Sequence, residues 1–89
     1  ELYQNYPNPF NPVTNILFDI PETNFIELNI YNINGKKIKN LHSGFLMPGQ
    51  YNVSWDGTSD DGVKVPSGLY FYSISSSKFN KKNKMMLIK

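Results

Sequence analysis

The sequence contains no cysteine and no arginine. Without cysteine there is no disulfide, no zinc–thiolate site and no thiol nucleophile, so the chain must fold on its hydrophobic core alone. The absence does not fix a compartment, because many secreted proteins also lack cysteine. Without arginine, the bidentate fork that favours base and phosphate recognition is missing, and nucleic acid is not an expected partner. Charged residues are scarce at 18% while aromatics reach 15%. That balance is too apolar for intrinsic disorder. No apolar run approaches the roughly 20 residues of a membrane helix, so no transmembrane segment is expected. No basic-then-apolar leader follows Glu1. The expectation is a domain cut from a longer precursor, with any export leader upstream.

What is there fits one domain spanning 1–89. A chain this short buries only roughly 60–65% of its unfolded surface, so its core is modest. The net charge of +2 is unevenly spread. Residues 78–89 carry five lysines and no acid, whereas residues 1–77 carry four lysines against seven acids.

Candidate helices are broken by Pro, Gly, Asn or β-branched residues before a stripe of period 3.6 develops. Strand signals recur instead, each closed by turn residues. They fall at 13–20, 25–33, 36–43, 50–56, 69–77 and 84–89, with 1–4 as a further pairing segment. The alternation puts Ile16, Phe18 and Ile20 on one face, then Ile26, Leu28 and Ile30, then Ile38, then Tyr51, Val53 and Trp55, then Tyr70, Tyr72 and Ile74. Asn34-Gly35 between two strand-like runs predicts a type I′ hairpin turn with positive φ at both residues. The polar run 75–84 is expected to be a hairpin loop. Together these predict an all-β antiparallel sandwich of about seven strands.

The chemistry is thin. Asp56, Asp60 and Asp61 lie near Gly57 and Gly62, and an oxygen-rich loop can bind calcium. The spacing fails the EF-hand pattern, however, and Asp and Gly are the usual turn formers. His42, the lone histidine, is expected at an exposed strand end with no GxSxG elbow to serve. No catalytic residue, metal or cofactor is expected. An aromatic sugar platform is the binding alternative. The alternation puts Tyr51, Trp55, Tyr70 and Tyr72 in the core and leaves Tyr31, Phe45 and Phe71 as surface rings. The sequon at Asn52 lies mid-strand and is weak as a glycosylation signal.

Four blocks carry a family resemblance: "LYQNYPNPFNPVTNILFDIP" (2–21), "LNIYNINGKKIKNL" (28–41), "PGQYNVSWDGTSDDGVKVPSGLYFYSI" (48–74) and "KMMLIK" (84–89). In this order they resemble the C-terminal sorting domain (type A) of type IX secretion cargo, which is related to the immunoglobulin-like domain of flagellar hook-capping proteins. The fingerprint positions are Tyr6, Pro7, Asn8, Pro9, Phe10, Asn11, Pro12, Gly35, Trp55, Asp56, Gly57 and Gly62. The resemblance implies an immunoglobulin-like fold and a non-catalytic tail on a secreted or surface protein. It implies an upstream cargo domain in the same chain, passage through periplasm and outer membrane, and recognition by an outer-membrane translocon and a sortase. By motif position it implies recognition through Gly68, Tyr70, Lys84, Met85, Leu87 and Lys89. One departure is Asn32, where the family often has Asp. An immunoglobulin-like accessory module that binds carbohydrate or acts as a spacer, and a hook-capping-type assembly domain, are the alternatives.

Prolines 7, 9 and 12 donate no backbone hydrogen bond and restrict their predecessors. The opening stretch is therefore expected to be a strap along a sandwich edge or across its end, with Tyr6 and Phe10 as apolar anchors.

Overall fold

Alternation in the sequence becomes alternation of burial. The computed structural model describes residues 1–88. In β1 (Thr14–Ile20) every second residue is buried, namely Thr14, Ile16, Phe18 and Ile20. In β2 (Asn24–Tyr31) the inward row is Ile26, Leu28 and Ile30. β3 (Lys37–Leu46) and β4 (Gly49–Trp55) are shallower, contributing Trp55 fully and Ile38, Tyr51 and Val53 partly. β5 (Gly68–Ser75) buries Tyr70, Tyr72 and Ile74, and β6 (Asn80–Leu87) buries Met85 and Leu87. The described residues include no helix.

β1 pairs with β4 in one antiparallel sheet, and the other runs β3-β2-β5-β6. The two inward rows face each other to make the core. β1 to β6 take the places of strands B, C, C′, E, F and G of an immunoglobulin sandwich. The hydroxyl of Tyr70 donates to the Pro66 carbonyl at 2.6 Å. That contact, a tyrosine near the start of F reaching a few residues back, is the tyrosine corner of such sandwiches.

The N-terminal segment takes the seventh place as a strap. It bridges β1 at Leu2–Phe18 and Tyr6–Asn15, then crosses to the other sheet and runs parallel to β6 at Phe10–Leu87. Tyr6 and Asn15 exchange both backbone bonds, at 3.0 and 2.9 Å. Phe10 N–H donates to Met86 at 3.0 Å, and Ile88 N–H donates to Phe10 at 2.9 Å. The three Xaa–Pro peptides of the strap are cis. The strap thus covers two sheet edges that would otherwise present unpaired backbone.

Several local expectations change. Phe10 is a buried anchor, but Tyr6 is 79% exposed. Tyr6 serves through its backbone, and the residue that turns inward is Asn5, which is buried. The 34–35 turn is not type I′, because Gly35 alone has positive φ (80°) and Asn34 does not. Gly35 N–H bonds to Asn32 O, and Asn32 N–H to Lys36 O, both at 3.0 Å. This is a three-residue connection with glycine at its left-handed position. Asn32 Oδ1 accepts from the N–H groups of Asn34 (2.9 Å) and Lys36 (3.0 Å). The turn needs only an acceptor oxygen there, so Asn32 serves as an Asp would.

β6 begins at Asn80 rather than 84, because Lys81 to Lys84 pair in register with Ile74 to Phe71. β3 runs on to Leu46, so His42 sits mid-strand and half-buried rather than at an exposed end. Lys89 lies outside the described residues.

Candidate functional site

The fingerprint blocks converge at one end of the sandwich, around Trp55. Its ring lies 5.6 Å from Phe10 of the strap and 5.5 Å from Tyr70 of β5, the latter edge-on. Such tilted aromatic pairs add to burial because ring edges meet ring faces. The indole N–H donates to the Thr58 carbonyl at 2.8 Å. Thr58 N–H and hydroxyl in turn donate to Asp56 Oδ1 at 3.2 and 2.6 Å. These bonds, led by the Thr58 hydroxyl, hold the Asp56 carboxyl below the usual range. Gly57 follows at φ +78°, and a Cβ there would stand 3.4 Å from the Pro12 carbonyl and 3.8 Å from Leu87. The strap, the acidic loop and β6 therefore touch at Gly57.

A second cluster fixes the strap to the core. Asn5 Nδ2 donates to Thr14 Oγ1 at 2.9 Å and to Pro7 O at 3.1 Å, and Thr14 donates to Pro7 O at 2.8 Å. The buried Tyr72 hydroxyl donates to Tyr3 O at 2.7 Å and accepts Asn5 N–H at 2.8 Å. Burial pushes that hydroxyl's pKa up. Near the start of the chain, Tyr3 donates to Asp19 at 2.5 Å and Gln50 donates to the other carboxylate oxygen at 3.1 Å. The Tyr3–Asp19 bond pushes Tyr3 up to about 12 and holds Asp19 below its ordinary value. Sequence reasoning missed Tyr3, Asn5, Thr14 and Asp19. Nothing in their residue type marks them, since each is paired by a contact between separate segments.

The residues expected to carry recognition divide into two groups. Gly68 pairs with Leu87 and Tyr70 with Met85, so these four come together at the Trp55 end. Tyr70, Met85 and Leu87 are buried there and serve the core. Lys84 is exposed, on the opposite face of β6, and the exposed Met86 and Ile88 continue its row. Backbone access along β6 is also divided. Met86 is bonded on its outer side by Phe10 and by Asn8 Oδ1 (3.0 Å), and Lys84 O by Gln4 at 2.8 Å. The stretch before it carries the exposed Lys81 and Lys82.

The acidic loop does turn and edge work. Asp60 N–H donates to Ile38 O at 2.9 Å, and Asp60 Oδ1 accepts Asn40 N–H at 3.1 Å, so the loop covers part of the β3 edge. Among the described residues, no three His, Asp or Glu side chains cluster to hold a metal. His42 Nε2 faces the Gly44 carbonyl at 3.3 Å. Of the expected surface rings, Phe45 is exposed and meets Phe25 edge-on at 5.4 Å, while Tyr31 and Phe71 are half-buried neighbours on the outer face of the larger sheet.

Comparison with known proteins gives the same fold. The family described as the FlgD Ig-like domain matches residues 16–79. The basal-body rod modification protein FlgD of Escherichia coli K12 is 39% identical over 44 residues, which is 49% of this chain and 19% of that protein. PorZ, described as an essential surface component of the type-IX secretion system of Porphyromonas gingivalis, superimposes over 99% of this chain and 11% of its own, with a TM-score of 0.63 and 22% identity. FlgD of Xanthomonas campestris, described in terms of hook capping in flagellar assembly, covers 84% of this chain and 55% of its own, with a TM-score of 0.64 and 21% identity. The chain thus spans about a fifth of the curated relative's length. The two structural likenesses are likenesses of fold.

Proposed function

This chain belongs to the FlgD Ig-like domain family, and on that premise we propose that it is a non-catalytic sorting module of type IX secretion. In this reading it directs an attached cargo through the outer membrane to the cell surface or medium. Its partners are the translocon and a sortase there, and its cargo is an upstream domain of the same chain.

One observation carries the reading. The blocks "YPNPFNP" and "KMMLIK" both resemble the sorting domain, both lie beyond the matched stretch 16–79, and they meet in the fold. Phe10 of the first bridges Leu87 of the second, and Asn8 of the first bonds Met86 of the second. A signal read as a folded module needs its parts brought to one surface, and these two are. PorZ shares the fold over 99% of this chain, both terminal blocks included. Fold alone does not assign function, so it is the contact between the two blocks that counts.

Within this reading, Tyr70, Met85, Leu87 and Gly68 shape the end of the sandwich, and Lys84, Met86 and Ile88 are what a partner touches. The test is a reporter carrying an export leader, with residues 1–89 fused at its C-terminus, expressed in a type IX-competent bacterium. The reporter is expected outside the outer membrane. A reporter that stays in the periplasm, beside a leader that works, refutes the proposal.

A further inference from the structure

The outer face of the larger sheet carries a row of side chains that the core does not use. Lys37 pairs in register with Tyr31, Tyr31 with Phe71, and Phe71 with Lys84. One line across four strands therefore reads Lys–Tyr–Phe–Lys. Lys82 Nζ lies over the Phe71 ring, 5.7 Å from its centroid. The two rings border a shallow hollow of about 380 Å³, which Lys82 and Ser73 also line. A second hollow of about 360 Å³ shares Phe71 and Lys82 and reaches Lys84, so the depression continues along β6. On the β2 stretch of this face the acid is Glu27, four residues from Tyr31, or about 13 Å at ~3.3 Å per strand residue.

We propose that this face binds an acidic oligosaccharide, a chain of sugar rings bearing carboxylates. The C–H face of a pyranose is apolar and stacks on an aromatic ring, and two rings side by side offer a platform for such contacts. The lysines on either side supply compact positive charges that match carboxylates standing out from the sugar ring. Ser73 offers a hydroxyl to the sugar's own hydroxyls. Lysines on the two edge strands also guard against stray pairing, but that role needs no aromatic pair between them. Single-stranded nucleic acid also stacks on aromatics near cations. The sugar is favoured because every cationic side chain of fixed charge here is lysine, and the planar fork suited to phosphates and base edges is absent. This inference stands independently of the sorting reading.

The test titrates tetragalacturonate into the ¹⁵N-labelled chain and follows amide shifts, with neutral cellotetraose and an oligothymidylate as comparison probes. Saturable shifts are expected at Tyr31, Phe71 and Lys82. The exposed double variant Lys37→Glu/Lys82→Glu is expected to weaken tetragalacturonate binding by about tenfold or more, and cellotetraose to bind more weakly by a similar factor. Three results overturn the proposal: no saturable shift on this face, an affinity unchanged in the double variant, or tighter binding of the oligothymidylate at the same residues.

Discussion

The hydroxyl of Tyr72, at the centre of β5, accepts the backbone N–H of Asn5 at 2.8 Å. It also donates to the Tyr3 carbonyl, and Asn83 of β6 reaches it at 3.3 Å. A single buried oxygen thus ties the strap to the middle of the larger sheet.

Removing that oxygen in Tyr72→Phe keeps the ring but strands the Asn5 N–H. Among the described residues, the Tyr3 carbonyl then keeps only the long bond from Asn83, at 3.4 Å. A buried group stranded in this way costs about 1–3 kcal/mol. Urea denaturation should show a loss in that range. Hydrogen exchange at Asn5 should accelerate more than exchange at Leu28, in the middle of β2. Equal acceleration at both sites would show that the hydroxyl does not hold the strap.

The Tyr3–Asp19 bond makes stability depend on pH at both ends. Asp19 has a folded pKa below its ordinary value of 3.8, so its contribution is present above 3.8 and disappears as pH falls through the lower folded value. Tyr3 is raised to about 12 from 10.0, so its contribution is complete below 10.0 and is lost as pH rises through about 12. Asp19→Asn should therefore flatten part of the acid limb of the urea midpoint, and spectrophotometric titration should show one tyrosine fewer ionising near 12. An acid limb identical to wild type would contradict the assignment.

Two glycines with nearly the same backbone angle separate strain from contact. Gly57 (φ +78°) faces the Pro12 carbonyl, whereas Gly62 (φ +80°) has open space around it. Replacing either by alanine forces a left-handed alanine, at about 1–2 kcal/mol. A Cβ on Gly57 would reach only ordinary van der Waals contact with Pro12 and Leu87, so the two substitutions should cost about the same by thermal melting. A clearly larger loss for Gly57→Ala would mean that the strap cannot accept even that contact.

Leu87 is buried at the Trp55 end and bridges Phe10. Leu87→Ala should cost about 2–5 kcal/mol, as large-to-small changes in packed cores do. A loss well under that range would mean that the last strand is loosely docked. The same burial means that deleting residues 84–89 would damage the fold along with any signal, so substitutions at exposed positions are the cleaner probes of export.

Much of this architecture can be read from period-two alternation. Ile16, Phe18, Ile26, Leu28, Ile30, Tyr70, Tyr72 and Ile74 all stand where alternation puts them, because one face of each strand must leave water. The start of β6 is hidden for a physical reason. Asn80 to Lys84 are polar on both faces at the sheet's edge, where lysine is the usual guard against stray pairing, so no alternation marks the strand. The type of the Asn34-Gly35 turn is equally illegible, because the choice between two-residue and three-residue connections depends on the strand register around it. The outward placement of Tyr31 and Phe71 is legible from the same alternation. The Asn5–Thr14 and Tyr3–Asp19 contacts are not, since hydrogen bonds between separate segments leave no periodic trace.

In the sorting proposal, the folded end built from strap and β6 is read during export through its exposed residues. The most direct measurement is the fraction of a fused reporter found outside the outer membrane, compared between wild type and Lys84→Glu/Met86→Ser, with thermal melting of both to confirm equal stability. Wild type is expected outside the cell envelope, and the variant, melting as wild type does, is expected to accumulate in the periplasm. Equal export of the two, or retention of both, would contradict the account.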